Sequence, residues 1–163
     1  MRTDHHLDQV KVTRRDFLRG TALGVGLAGL GRWSWAQAGQ PAVPMAVYMD
    51  PGCGCCGQWV TIMKAAGFQV SVQETSDIAS IKKRYGIGAN LESCHTALVG
   101  GYLVEGHVPA DLIRKMLREK PPFKGLSVPG MVTGSPGMEG ITKEPYDVLS
   151  FDAAGKTAVY AKR

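Results

Sequence analysis

The four cysteines of this 163-residue chain fall into two tight groups, and this grouping constrains the fold more than any other feature of the sequence. Three of them lie within Cys53-Gly54-Cys55-Cys56, and the fourth, Cys94, directly precedes His95. Outside the cytosol, thiols are usually lost to disulfides or held by a metal. Because the chain also has the features of an exported protein, we expect the four cysteines to form its functional site.

The first 38 residues predict a twin-arginine signal peptide. The motif Thr13-Arg14-Arg15-Asp16-Phe17-Leu18 is a bacterial export address. A glycine-interrupted apolar run follows, and Ala36-Gln37-Ala38 supplies the small residues of a cleavage site. We predict transfer to the periplasm by the twin-arginine translocase, cleavage after Ala38 and a mature form that is not membrane-bound, because the apolar run is short and glycine-rich for a span. An uncleaved N-terminal anchor is the alternative.

Residues 39–163 are long enough for one domain with a modest core. Most of the chain's net charge of +5 belongs to the predicted leader, so the mature part is only weakly basic. It contains no basic run with interleaved aromatic residues. We therefore expect no nucleic-acid partner.

The apolar patterns and turn residues predict the element order strand, helix, strand, helix, hairpin, helix. The predicted elements are 45–49, 58–66, 68–72, 77–85, the hairpin strands 96–99 and 102–105, and 109–119. This order predicts an α/β fold, a thioredoxin-like mixed sheet flanked by helices. A Gly/Pro/Met-rich loop and a closing hairpin over 146–160 are expected to follow.

The predicted fold gives the cysteine spacing a chemical meaning. Thioredoxins carry C-x-x-C at the first strand-to-helix turn, where Cys53 and Cys56 have that spacing. The segment that enters the third strand packs against this turn, so Cys94 should approach the first cluster. Cys55 and Cys56 are expected to precede the first helix, whose N-terminus favours thiolate over thiol.

Five stretches of the chain resemble a family long catalogued as a domain of unknown function, which includes periplasmic copper-resistance proteins of the CopG type. The stretches are Tyr48-Met49-Asp50-Pro51-Gly52-Cys53-Gly54-Cys55-Cys56-Gly57-Gln58-Trp59, Ser93-Cys94-His95-Thr96-Ala97, Gly101-Tyr102-Leu103-Val104-Glu105-Gly106-His107-Val108-Pro109, Val128-Pro129-Gly130-Met131 and Gly134-Ser135-Pro136-Gly137-Met138-Glu139. The resemblance implies a thioredoxin-like domain whose cysteines hold copper, in the best-described members as a thiolate-bridged multinuclear cluster. It also implies redox handling of copper, which has been proposed for the family.

Donor chemistry independently favours Cu(I) for Cys53, Cys55, Cys56 and Cys94. Soft thiolates select Cu(I) and zinc over hard cations. Three thiolates within four residues suit bridging between several Cu(I) ions better than a single tetrahedral zinc site. Four thiolates would also neutralise four Cu(I) charges, which lowers the cost of burying the cluster. Zinc, a structural disulfide and dithiol redox chemistry remain alternatives.

Two histidines and two methionines are further candidate ligands. His95 adjoins Cys94, and His107 follows the predicted hairpin; either imidazole could bind copper or hydrogen-bond a thiolate. Met131 and Met138 lie in a Gly/Pro-rich loop, where thioethers could transfer Cu(I). The alternative for the histidines is a structural turn or core role, and for the methionines it is filling gaps beneath the loop.

The sequence thus predicts a periplasmic copper-binding protein for copper resistance, with other periplasmic copper-resistance proteins as partners; turnover as an enzyme is left open. The alternative is a thiol–disulfide oxidoreductase using the dithiol of Cys53 and Cys56. Against it, Cys55 and Cys94 would compete in a mixed disulfide, and Ser93-Cys94 replaces the proline that usually enters the third strand beside a thioredoxin active site. A third, weaker alternative is a partner protein stapled by disulfides.

Overall fold

The computed structural model describes residues 42–163. The predicted signal peptide and its cleavage site after Ala38 lie outside these residues and stay predictions. The elements are β1 (Val43–Met49), α1 (Gly54–Ala65), β2 (Phe68–Glu74), α2 (Ile78–Tyr85), a short 3-10 turn (Ala89–Leu91), β3 (His95–Val99), β4 (Tyr102–Glu105), α3 (Ala110–Glu119), β5 (Gly125–Ser127), β6 (Asp147–Phe151) and β7 (Thr157–Lys162). Within the described part of the chain, no helix has the length and apolar character that crossing a membrane requires.

The strands form one mixed sheet in the order β2-β1-β3-β4-β5-β6-β7. The pairs β1–β2 and β4–β5 are parallel, and the other neighbouring pairs are antiparallel. The first four strands with α1, α2 and α3 have the thioredoxin-like arrangement, which confirms the predicted fold. The predicted closing hairpin is also present as β6 and β7.

Helix α1 begins earlier than the sequence predicted. It starts at Gly54, so Cys55 and Cys56 lie in its first turn and do not precede it. Cys53 is the N-cap residue, and its carbonyl accepts the first helical hydrogen bond from the Gly57 N–H at 3.2 Å. Glycines and cysteines carry no clear helical periodicity, which is why the pattern placed the start at Gln58. The C-x-x-C pair therefore spans the N-cap and the first turn of the helix.

Strand β2 extends two residues beyond the predicted strand 68–72, to Glu74. Its alternating residues Phe68, Val70 and Val72 share one face, but only Phe68 is buried and Val72 is 39% exposed. The reason is that β2 is the edge strand of the sheet. Strand β5 was not predicted, because three residues are too few to show a period.

The main hydrophobic core lies between the sheet and helices α1 and α3 and leads directly to the cysteines. The buried side chains of α1 are Cys56, Trp59, Val60 and Met63. Those of α3 are Leu112, Ile113 and Met116. Since Cys56 belongs to this cluster, the cysteine site forms one end of the core.

Candidate metal centre

The two cysteine groups meet at one point of the fold. The sulfurs of Cys53, Cys55, Cys56 and Cys94 all lie within 4.8 Å of one another. Cys56 is buried, and the other three are half-buried. The first strand-to-helix turn and the entry to β3 adjoin because β1 and β3 are paired, with Met49 opposite His95. The expected approach of Cys94 to the first cluster is thus observed.

Within the first group, Cys53 and Cys56 are joined by a disulfide across a Cα separation of 5.3 Å. Cys55 and Cys94 are free thiols. The Sγ atom of Cys55 lies 3.6 Å from that of Cys53. The preceding turn fixes this segment, because the Cys53 N–H donates to the Asp50 carbonyl at 3.0 Å. The structure therefore shows the oxidised state of the C-x-x-C pair beside a third, free sulfur.

A second group of candidate ligands surrounds Cys94. Its members are Cys94, His95 and His107, whose donor atoms also lie within 4.8 Å of one another. The Sγ atom of Cys94 is 2.9 Å from Nε2 of His107 and 3.5 Å from Nδ1 of His95. Cys94 is common to both groups, so four sulfurs and two imidazoles form one continuous set of donors.

The ring of His107 is oriented by a backbone carbonyl. Its Nδ1 lies 2.8 Å from the oxygen of Pro136, which can only accept a hydrogen bond. In the neutral ring the proton is therefore on Nδ1, and the lone pair of Nε2 points at Cys94. Metal-binding histidines have this arrangement, with one nitrogen donating to a carbonyl and the other free to bind.

His95 is buried against aromatic rings. Its ring centroid is 4.4 Å from that of Trp59 and 5.0 Å from that of His107. Its Nε2 is buried and has no hydrogen-bond partner among residues 42–163. Unpartnered polar atoms in a protein interior are costly and uncommon. On the side of Cys94, Nδ1 of His95 and the lone pair of His107 fit a site that accepts a cation.

Burial sets the protonation of these groups. It lowers the pKa of His95 to about 3, with the charges of His107 and Lys82 acting in the same direction. Burial also lowers the pKa of His107. It raises the pKa of Cys94 to about 11, assisted by the neighbouring Cys55. At neutral pH the imidazoles are neutral and Cys94 is a thiol, so a bound cation would displace its proton.

The sequence interpretation missed a buried polar network behind Cys94. Glu105 accepts hydrogen bonds from the Ser93 N–H at 2.8 Å and from the Thr96 hydroxyl at 2.6 Å. It also forms an ion pair with Lys82, and both charged side chains are buried. Glu105, a charged residue at the end of the predicted strand 102–105, was the sequence feature that could have indicated this network. No sequence feature indicated Lys82, because it lies in a helix that is rich in exposed charges.

The two methionines differ in position. Met131 is 64% exposed, whereas Met138 is half-buried. Met138 directly follows Gly137, whose backbone lies so close to α1 that a Cβ there would be 2.9 Å from the Cys55 carbonyl oxygen and 2.7 Å from the Trp59 nitrogen. The loop therefore reaches the cysteine turn next to Met138. A ligand role for either methionine stays a prediction.

Comparisons with known proteins identify a family model and two solved structures that are similar to this chain. Residues 91–138 match the family model described as "Protein of unknown function, DUF411". Two solved structures, titled "Copper resistance protein copG- Form 2" and "Copper resistance protein copG- Form 1", are each 39% identical to this chain with a TM-score of 0.71. The alignments cover 75% and 76% of this chain and 98% of each of those chains. None of the curated proteins compared with the chain matches it. On this identity, coverage and shared fold, the chain belongs to the CopG-type family that its cysteine motifs indicate.

Proposed function

We propose that this protein binds copper in the periplasm and serves copper resistance, holding Cu(I) as its cargo at Cys53, Cys55, Cys56 and Cys94. The observation that carries the proposal is the convergence of four sulfurs within 4.8 Å, with two imidazoles at one side. Thiolate sulfur selects Cu(I) and zinc over hard cations. The names of the two solved relatives support the same role.

The sulfur geometry favours a multinuclear cluster over one mononuclear ion. Cys55 lies between Cys53 and Cys56 in the sequence, and its sulfur is 3.6 Å from that of Cys53. Its thiolate can therefore bridge metal ions that are bound by these two neighbours. Full capacity requires reduction of the Cys53–Cys56 disulfide to two thiols by an external dithiol, which supplies two electrons and two protons and is itself oxidised to a disulfide. Nδ1 of His95, which faces Cys94, and the oriented Nε2 of His107 would complete the coordination. Met138 is the better placed of the two candidate thioethers, because it follows Gly137, whose backbone approaches Cys55 and Trp59, whereas Met131 is 64% exposed.

Export, processing and partners belong to the same proposal. The twin-arginine motif and the small residues before position 39 support delivery to the periplasm by the twin-arginine translocase and cleavage after Ala38. A periplasmic copper protein would exchange its cargo with other copper-resistance proteins of that compartment. Cycling of the bound copper between oxidation states is the further activity that the resemblance to the family implies.

The second candidate function is thiol–disulfide exchange. It is favoured by one observation, the Cys53–Cys56 disulfide at the start of α1 in a thioredoxin-like fold. Cys55 weakens this candidate, because a third sulfur 3.6 Å from Cys53 would intercept a mixed disulfide.

Metal titration of the reduced mature protein tests the proposal. We expect more than one Cu(I) per chain, and saturation at one zinc without preference for copper would contradict the proposal.

The variant Cys55→Ser separates the two candidate functions, because it removes a bridging sulfur and spares the dithiol of Cys53 and Cys56. We expect Cys55→Ser cells to become copper-sensitive with normal periplasmic disulfide formation and normal protein abundance. Normal copper tolerance, together with defective disulfide exchange in Cys53→Ser, would favour the oxidoreductase.

A further inference from the structure

A buried ion pair lies directly behind Cys94 and His95. Glu105 is completely buried and Lys82 is 4% exposed, and the ammonium group of Lys82 donates to Oε1 of Glu105. Such pairs cost a desolvation free energy that their attraction often does not exceed, so replacing both charges by apolar groups is commonly neutral for stability. A contribution to the stability of the fold is therefore not a sufficient explanation for this buried ion pair.

The hydrogen bonds of Glu105 suggest a different reason. Its Oε1 accepts from the Ser93 N–H at 2.8 Å, and its Oε2 accepts from the Thr96 hydroxyl at 2.6 Å. Ser93 and Thr96 are the residues on either side of Cys94-His95. One carboxylate thus holds both ends of the dipeptide that supplies two candidate ligands.

Glu105 is also joined to the third ligand of this group. It lies opposite Thr96 in the β3–β4 pairing, and His107 follows it by two residues. Lys82 reaches the same point from α2 and also contacts the Thr96 hydroxyl at 3.4 Å. The pair therefore connects the Cys94 segment, the His107 segment and α2, and it does so without adding net charge to the site.

We propose that Glu105, with Lys82 as its counter-ion, is a positioning residue that fixes Cys94 and His95 relative to His107. Both carboxylate oxygens are engaged by Ser93, Thr96 and Lys82, so Glu105 acts through these neighbours and not as a ligand. The inference deepens the proposed function, on which it rests. Loss of groups that orient metal ligands typically costs about 10- to 100-fold in metal affinity.

The test compares two double variants with the wild-type protein. Lys82→Met with Glu105→Leu removes both charges and both hydrogen bonds to the Cys94 segment. Lys82→Met with Glu105→Gln also removes the charges but retains an amide that can accept from the Ser93 N–H. The matched control is Lys162→Met with Asp147→Asn, which removes the exposed ion pair of β6 and β7. The readouts are Cu(I) affinity by chelator competition under reducing conditions, exchange of the Ser93 amide proton, and alkylation of Cys94 relative to Cys55 in the oxidised protein.

We expect the leucine variant to lose about tenfold or more in Cu(I) affinity, with faster Ser93 exchange and faster alkylation of Cys94 but not of Cys55. The glutamine variant should recover most of each loss, and the control should match the wild-type protein. Equal affinity, exchange and alkylation in a folded leucine variant would overturn the inference. If that variant does not fold, Glu105→Asp replaces it, since a carboxylate shortened by one methylene cannot hold both neighbours; wild-type values there would also overturn the inference.

Failure of the proposed function gives a different result. If the wild-type protein binds no Cu(I), the copper proposal is wrong. The exchange of Ser93 and the alkylation of Cys94 would still report whether Glu105 positions this segment.

Discussion

The two cysteine segments of the centre are held in place by different means. The segment Cys53-Gly54-Cys55-Cys56 is fixed by contacts that are close in sequence. These are the turn at Asp50, the first hydrogen bond of α1 and the disulfide between Cys53 and Cys56. Ser93-Cys94-His95 is fixed by distant groups, with Glu105 behind Ser93 and His107 beside Cys94. The first segment can change its redox state within a single helical turn. The position of the second depends on the folded sheet and on the loop after β5.

The largest expected effect tests whether the two segments form one centre. Cys94→Ser should lower the Cu(I) capacity of the reduced protein about as much as Cys56→Ser does, because each change replaces one of four converging sulfurs with a hard hydroxyl. Copper bound per chain after anaerobic loading measures this. Ser150→Ala, a change in β6, is the control. An unchanged copper load in Cys94→Ser would mean that the second segment does not share the cargo of the first.

The next prediction concerns the loop that packs on the first segment. Gly137 has φ +82°, and a Cβ there would meet backbone atoms of Trp59 and Cys55 at 2.7 and 2.9 Å. Gly137→Ala should lower the free energy of unfolding by about 3 kcal/mol, because left-handed strain adds to overpacking. Urea denaturation of the oxidised protein measures this loss.

Gly130→Ala is the matched variant for that experiment. Gly130 lies in the same loop with φ +72°, but its Cβ would meet no atom within 4 Å. It should lose only the strain, about 1–2 kcal/mol. Equal losses in the two variants would show that contact between the loop and the cysteine turn contributes nothing to stability.

The sequence was sufficient to predict those structural elements that depend on residues close together in the chain. The C-x-x-C spacing after a buried strand, the hairpin of strands 96–99 and 102–105 and the helix over 77–85 were all predicted. Asp77 caps that helix by accepting a hydrogen bond from the Ser80 N–H at 3.1 Å. Each of these signals lies within a few residues of the structure it specifies. The approach of Cys94 also followed, because the topology of the fold determines it.

The sequence was insufficient where distant residues meet. Lys82 of α2 and Glu105 of β4 form an ion pair although 23 residues separate them, and no local pattern in the sequence indicates that they pair. Val72 follows the alternation of a buried face but lies on an edge strand, and strand position depends on the whole sheet. The start of α1 was misplaced because its first turn consists of glycine and cysteine.

The last prediction concerns a pH dependence of the second segment. The pKa of His95 falls from an ordinary 6.5 to about 3 on folding. Below pH 6.5 the unfolded chain therefore binds a proton that the folded protein does not, and stability decreases as the pH falls from about 6.5 towards 3. The contribution of His95 is at most about 1.4 kcal/mol for each pH unit. Unfolding free energies at pH 7 and pH 5 should differ less in His95→Gln than in the wild-type protein, and an equal difference would contradict the assignment.

Strands β5, β6 and β7 extend the sheet beyond β4, so β7 and not β4 is the edge strand on that side. Without them β4 would be an edge with buried Leu103 and Val104, and an apolar edge of this kind pairs readily with other chains. The extension covers β4 and leaves β7 outermost, a strand of mostly exposed residues that ends at Lys162. A charged lysine at an edge opposes the addition of a further strand. Strands β5, β6 and β7 therefore replace an apolar edge with one that disfavours pairing with other chains.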